Sequence, residues 1–175
     1  MVVGEIRQSV IGQIRVYVDD GHVTQLLLQG DSEPAWNSDT AENTADSKLL
    51  RTAIEQLEEY FTGHRRVFSL SLCPAGTPLM RKIWQEMAEI PFGRTASYGE
   101  IAARIGRPTA ARVVGGACGR NPIPILIPCH RVVGADGSLT GFRGGLEMKQ
   151  TLLALEGLTS PPFLHTFRTA ANKHE

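Results

Sequence analysis

Cysteine is scarce and scattered in this 175-residue chain: Cys73, Cys118 and Cys129 are odd in number and show no C-x-x-C spacing, which argues against both a disulfide framework and a zinc cage. Free thiols in a reducing compartment fit that usage. No run approaches the roughly 18 apolar residues of a membrane span, and the opening MVVGEIRQ lacks the basic-then-apolar layout of a secretory signal. The expectation is therefore a cytoplasmic protein with no membrane partner. Net charge is also absent, with 18 Lys and Arg against 18 Asp and Glu, but the zero conceals a division. Up to Pro78 there are 6 basic against 11 acidic residues; beyond it there are 12 against 7. The basic part is the candidate for a polyanion, although solvated surface produces the same imbalance.

A hydrophobic content of 42% supports a packed core in one ordinary domain or two small ones. Residues 9–18, SVIGQIRVYV, and 22–29, HVTQLLLQ, flank Asp19-Asp20-Gly21, a turn sequence between β-favouring runs that predicts a hairpin. From Asp31 to Asp46 the chain is polar, contains Pro34 and lacks an apolar period, as a surface loop does. Helical spacing runs from Lys48 to Phe61 with Gly63 as a stop, and Val67, Phe68, Leu70 and Leu72 suggest a further strand. CPAGTP at 73–78 reads as a boundary.

Beyond that boundary the pattern is mainly helical. Thr77 and Pro78 open a helix whose apolar face carries Leu79, Met80, Ile83, Trp84 and Met87 and which Pro91 ends. Ser97 caps a second helix with Glu100 as its capping-box partner, and Gly106 ends it. Thr109 opens a third, TAARVVGGACG, so closely that the pair outlines a helix-turn-helix. The chain is thus α+β, with a small N-terminal domain over 1–76, a mainly helical domain over 77–160 and a tail over 161–175. In the tail, Phe163 and Phe167 are the residues able to dock it.

Residues 121–133, NPIPILIPCHRVV, carry the chemistry. Pro122, Pro124 and Pro128 predict a stiff, straight segment that delivers Cys129 to one fixed place. His130 and Arg131 follow it, and positive charge nearby lowers a thiol's pKa. Cysteine in an apolar run is, however, commonly core packing. In an extended chain His130 points away from Cys129, so it reaches the sulfur only through a bend or a bridging water. As a base, His130 needs an orienting carboxylate. Glu156 qualifies because it sits at the carbonyl end of the helix of Leu146, Lys149, Leu152, Leu153 and Leu155, where an acid is disfavoured. A solvated terminal glutamate would look the same.

PCHRV at 128–132, its flanks GGACGRNPIPILIPCHRVVGADGSLTGFRGGL at 115–146 and IPFGRTASYGEIA at 90–102 resemble the O6-alkylguanine-DNA alkyltransferase family over roughly 77–158. The resemblance implies a ribonuclease-H-like N-terminal domain before a winged-helix-like domain. It also implies irreversible transfer of an alkyl group from O6-alkylguanine, and from O4-alkylthymine, in double-stranded DNA to the protein's own cysteine. By position it makes Cys129 the acceptor, His130 the base acting through water, Glu156 its orienting carboxylate and Tyr98 the proton donor to the guanine. Asn121 braces the turn before the active segment, and Arg112 is the finger that replaces the extruded nucleotide. Thr109, Ala110, Ala111, Ser97 and Gly115 would face DNA, and Pro124, Val132, Thr140, Phe142 and Arg143 would form the base pocket. Arg143 would donate from its backbone amide. Phe142 stands where many members carry tyrosine, so a hydroxyl contact is lost there.

The third helix bears on this independently. A major-groove reader exposes Arg, Asn or Gln, whereas this helix presents small side chains around Arg112, which suits the minor groove and binding with little sequence preference. Helix packing explains Gly115 and Gly116 at least as well. In-line displacement by a thiolate needs no metal or organic cofactor. A monomer is implied, with clustering along DNA left open. Two rivals are a non-catalytic alkyltransferase-like binder, in which the acceptor cysteine is replaced, and a thiol hydrolase with a Cys-His-Glu triad, which would leave Arg112 without a purpose. Cys118 reads as packing and Cys73 as incidental.

Overall fold

The computed structural model describes residues 1–32 and 44–163, and the chain divides into two compact units: 1–77 with 121–126, and 78–120 with 127 onward. In the first unit, β1 (Val2–Ser9), β2 (Gly12–Asp19) and β3 (His22–Leu28) form an antiparallel meander in that order. Asp20 and Gly21 both have positive φ, 48° and 73°, the pattern of the tight hairpin turn that Asp-Gly favours between paired Asp19 and His22. Ile14, Val16 and Val18 turn one face of β2 inward. The helix α1 (Ala45–Phe61) packs on the sheet through Leu50, Ala53, Leu57, Tyr60 and Phe61.

Three expectations change here. The run 9–18 is not one strand. Ser9 Oγ donates to Gly12 O and accepts from Ile11 N across a turn, and Ser9 is the last residue of a separate β1. Helix α1 begins at Ala45 rather than Lys48, because Thr44 Oγ1 accepts from Ser47 N and caps it; residues 33–43 of the expected loop lie outside the described residues. Over Val67–Leu72 no strand forms beyond a single parallel bridge, Val23 to Leu72. Ser69 N donates instead to the Gln56 side chain, and Val67 is 76% exposed.

The segment 121–126 returns to this unit, where Leu26 N donates to Pro122 O at 2.8 Å. It is not straight. Ile125 adopts φ 75°, a left-handed conformation that costs a β-branched residue about 1–3 kcal/mol, and the chain turns there before entering the second unit. Asn121 is buried and its Oδ1 accepts from Ile123 N at 3.0 Å, which fixes the entry to that turn.

In the second unit, α2 (Pro78–Ala88) buries Ile83, Trp84 and Met87, and the Trp84 indole donates to Ala117 O at 2.9 Å. The helices α3 (Tyr98–Arg104) and α4 (Ala111–Gly119) pack together as the two-helix motif. Ser97 forms the expected capping box with Glu100. Helix α4 starts at Ala111, two residues later than expected, because Ala110 N closes a turn onto Arg107 O and leaves Thr109 outside the helix. A two-residue parallel ladder pairs β4 (Ala96–Ser97) with β5 (Val132–Val133) and sets the start of α3 beside the exit of the Cys129 turn. The last helix, α5 (Leu146–Leu155), carries Leu152 and Leu153 inward. Phe163 joins Val133, Leu153 and Leu158, with backbone bonds to Gly137 and Thr95 Oγ1; Phe167 lies outside the described residues. Among the described residues no helix is long and apolar enough to cross a membrane.

Candidate active site

Cys129 opens a 3-10 turn, Cys129–Arg131, closed by Arg131 N onto Pro128 O at 3.0 Å, and is 5% exposed. The thiol lies on the wall of a cavity of about 630 Å³. One wall is a single face of α4: Ala111, Gly115, Cys118 and Gly119 recur at helical spacing, with Arg112 at the mouth. Thr140, Gly141, Phe142 and Arg143 form another wall, and Tyr98 completes the lining. A Cβ at Gly115 would meet the Tyr98 ring at 3.8 Å, an ordinary van der Waals contact, so the two residues are neighbours on this wall.

His130 is fully buried, and its Nε2 lies 2.8 Å from Glu156 Oε1. The same carboxylate takes Arg131 through Nη2 at 2.9 Å and Nε at 2.9 Å, and Gly93 N at 3.1 Å. Burial alone would raise the Glu156 pKa, but His130 and Arg131 hold it down to about 2. An ionised carboxylate only accepts, so His130 Nε2 carries the hydrogen and Nδ1 keeps its lone pair. Nδ1 has no hydrogen-bond partner among the described residues. Burial, with Arg131 and Lys149 nearby, outweighs Glu156 and lowers the His130 pKa, so the ring is neutral at pH 7 and competent as a base.

That arrangement corrects the expected activation by charge. His130 is uncharged, and the Arg131 guanidinium is engaged by Glu156 and Ile90 O. Basicity at Nδ1, not a neighbouring imidazolium, is what these two residues offer the thiol. Glu156, at the carbonyl end of α5, is neither solvated nor orphaned; its partners outweigh the unfavourable helix end.

Tyr98 is the first residue of α3, held there by the Ser97 cap. Its oxygen accepts from Thr140 Oγ1 at 3.0 Å, which leaves its own hydrogen to donate, and burial raises its pKa so that the hydrogen is retained. Thr140, Phe142 and Arg143 line the cavity as expected from sequence, but Val132 and Pro124 do not. Val132 is fully buried with its backbone paired to Ala96, and Pro124 belongs to the first unit with Asn121. Ser97 is buried as a helix cap, Ala110 is half-buried before α4, and Thr109 is exposed. Cys118 faces the cavity rather than a packed core; burial and then the Cys129 charge push its thiol up to about 12, and it donates to Met87 Sδ. It therefore stays protonated. Cys73 is exposed.

Two residues to which sequence reasoning gave no framing role belong to the site's frame. Arg131 is the main partner of Glu156. Lys149 is fully buried, with Nζ donating to Val132 O at 2.6 Å and Thr140 O at 2.8 Å. Its signal in the sequence was a lysine on the apolar face of a leucine-rich helix. Among the described residues no cluster of three or more His, Cys, Asp or Glu is placed to hold a metal ion.

A thiol with a neutral, carboxylate-oriented histidine next to it in the chain, on the wall of a cavity of about 630 Å³ formed partly by a helix-turn-helix, has the makings of a thiol-based group acceptor on a DNA-binding scaffold. Known proteins agree. Residues 78–158 match the model of the 6-O-methylguanine DNA methyltransferase DNA binding domain, and residues 2–74 that of its ribonuclease-like domain. The methylated-DNA–protein-cysteine methyltransferase of Methanosarcina barkeri is 44% identical over 87% of this chain and 95% of its own length; the constitutive Bacillus subtilis protein of that name is 39% identical over 87% and 93%. The crystal structure of Mycobacterium tuberculosis OGT in complex with DNA superposes with a TM-score of 0.80 at 39% identity, covering 92% of this chain and 96% of that one. The chain belongs to the 6-O-methylguanine DNA methyltransferase family.

Proposed function

We propose that this chain repairs DNA by moving the alkyl group of O6-alkylguanine, and of O4-alkylthymine, onto Cys129 Sγ once per molecule. The observation that carries the reading is Cys129 on the wall of a cavity of about 630 Å³, followed in the chain by the buried His130–Glu156 pair. His130 Nδ1 takes the thiol proton, through a water as the sequence suggested, and Glu156 steadies the resulting imidazolium. The thiolate attacks the alkyl carbon from the side opposite oxygen. A carbon–sulfur bond forms as the carbon–oxygen bond breaks, its electron pair passes to the base, and Tyr98 supplies a proton to the ring. A thioether remains, and no residue of the cavity is suited to cleave it.

A base inside a duplex cannot reach such a cavity, so the nucleotide must leave the stack, at a cost of a few kcal/mol that damage reduces. Arg112, an exposed residue of the cavity lining, would fill the gap, and the small residues of α4 would suit the minor groove and binding without sequence preference. Thr109, Ala110, Ala111 and Gly115 would meet the backbone there, while Asn121 would brace the entry to the active segment. The test is to incubate the protein with an oligonucleotide bearing O6-methylguanine and weigh it. One methyl on Cys129, capped at one equivalent, is expected; repeated turnover or no transfer would overturn the reading.

A further inference from the structure

A fully buried lysine with no carboxylate partner among the described residues is an unusual thing for a fold to keep. Burial drives the Lys149 pKa down to about 8, and a methionine of similar length would fill the same space without desolvating a charge. Stability does not explain its presence, but its two acceptors do. Val132 O belongs to the residue immediately after the Cys129–Arg131 turn, and Thr140 O belongs to the first residue of the cavity wall that runs to Arg143. Thr140 in turn donates through Oγ1 to the Tyr98 hydroxyl. A continuous path of short hydrogen bonds therefore runs from the exit of the nucleophile's turn, through one ammonium, to the oxygen of the proton donor.

We propose that Lys149 is a positioning residue for the transfer: its ammonium clasps the Cys129 turn to the Thr140–Arg143 wall, and so sets the distance and line between the attacking sulfur and the Tyr98 hydroxyl. In-line displacement has a narrow angular tolerance, and the donor must reach the leaving base while the sulfur reaches the carbon. The parallel ladder between Ala96–Ser97 and Val132–Val133 fixes the backbone side of this geometry but does not extend to the 140–143 wall, so the tie between that wall and the Cys129 turn comes from another element. Lys149 supplies that tie from the inner face of α5.

The inference rests on Cys129 being the acceptor, and its test separates the two. Single-turnover transfer from an O6-methylguanine oligonucleotide is measured beside alkylation of Cys129 by iodoacetamide, which needs a thiolate but no alignment with Tyr98. Lys149→Met and Lys149→Arg are compared with the unaltered protein, with folding followed by circular dichroism and thermal melting. For both variants the expectation is a native fold, transfer slowed about tenfold or more, and iodoacetamide capture changed by less than about threefold. Arginine keeps the charge, but its longer, planar guanidinium does not fit the buried site of a compact ammonium, so it should not rescue. Rescue by arginine, equal losses in both reactions, unimpaired transfer, or variants that fail to fold would each overturn the clasp. Absence of transfer in the unaltered protein would instead overturn the acceptor role of Cys129.

Discussion

Glu156 shows how much one side chain can be asked to hold. It fixes the His130 tautomer, neutralises a buried guanidinium and anchors the Gly93 amide, all from the disfavoured end of a helix. Glu156→Gln would leave Arg131 buried without its counter-charge, a loss of about 3–5 kcal/mol for a broken buried pair. The pH dependence follows from the sign of the shift. Because the folded pKa lies at about 2, below the ordinary 4.5, the carboxylate stabilises the fold fully above 4.5 and loses that contribution as the pH falls towards 2. Denaturant melts across pH should therefore show the gap between the native chain and Glu156→Gln closing over that window; a gap constant from pH 7 to pH 2 would show that the ionised carboxylate is not the stabilising species. Sequence reasoning picked out Glu156 because it broke a local rule, and Cys129 and His130 because they stood in a proline-framed run. Arg131 and Lys149 were harder to see. Each stands beside a more conspicuous feature, and their roles depend on acceptors 25, 17 and 9 residues away.

At the scale of elements, the proposed function gives α4 the step that precedes chemistry. Its cavity face is built from Ala111, Gly115, Cys118 and Gly119, so a base can approach the Tyr98 ring, while Arg112 stands exposed at the mouth. If Arg112 fills the stack in place of the extruded nucleotide, Arg112→Ala should slow repair in duplex DNA by about tenfold or more while leaving reaction with a free O6-benzylguanine base nearly unchanged. Equal loss on both substrates would assign Arg112 to the pocket rather than to extrusion. The helix pair itself was legible, since the Ser97 and Glu100 box, Gly106 and the apolar period are local signals. Where the expectations failed, the deciding interaction was elsewhere in the chain. Val67–Leu72 had the residues of a strand, but its backbone found a side-chain acceptor in Gln56. The turn at Ile125 was hidden by prolines on both sides and by a β-branched residue in a conformation it rarely adopts. The boundary between β1 and β2 was missed because Val10-Ile11-Gly12 continues the apolar run through the turn.

For the whole molecule, a formal net charge of zero is the misleading number. The residues beyond Pro78, which include the helix pair and the cavity, hold 12 basic against 7 acidic side chains, and the acidic excess lies in the residues before it. A uniformly neutral surface would bind duplex DNA weakly and with little response to salt, whereas a basic DNA-facing part releases counterions on binding. Affinity for undamaged duplex should therefore fall steeply between low and physiological salt, with a log–log slope of about −3.6 to −5.4 if about four to six phosphates are neutralised. That slope should be the same for unrelated sequences, because α4 presents no Asn or Gln and a single arginine before its end. Fluorescence anisotropy with two scrambled duplexes across a salt series measures both quantities. A flat salt response would remove the charge division as the source of DNA affinity, and slopes or affinities that differ strongly between sequences would show base reading that this helix face is not equipped to perform.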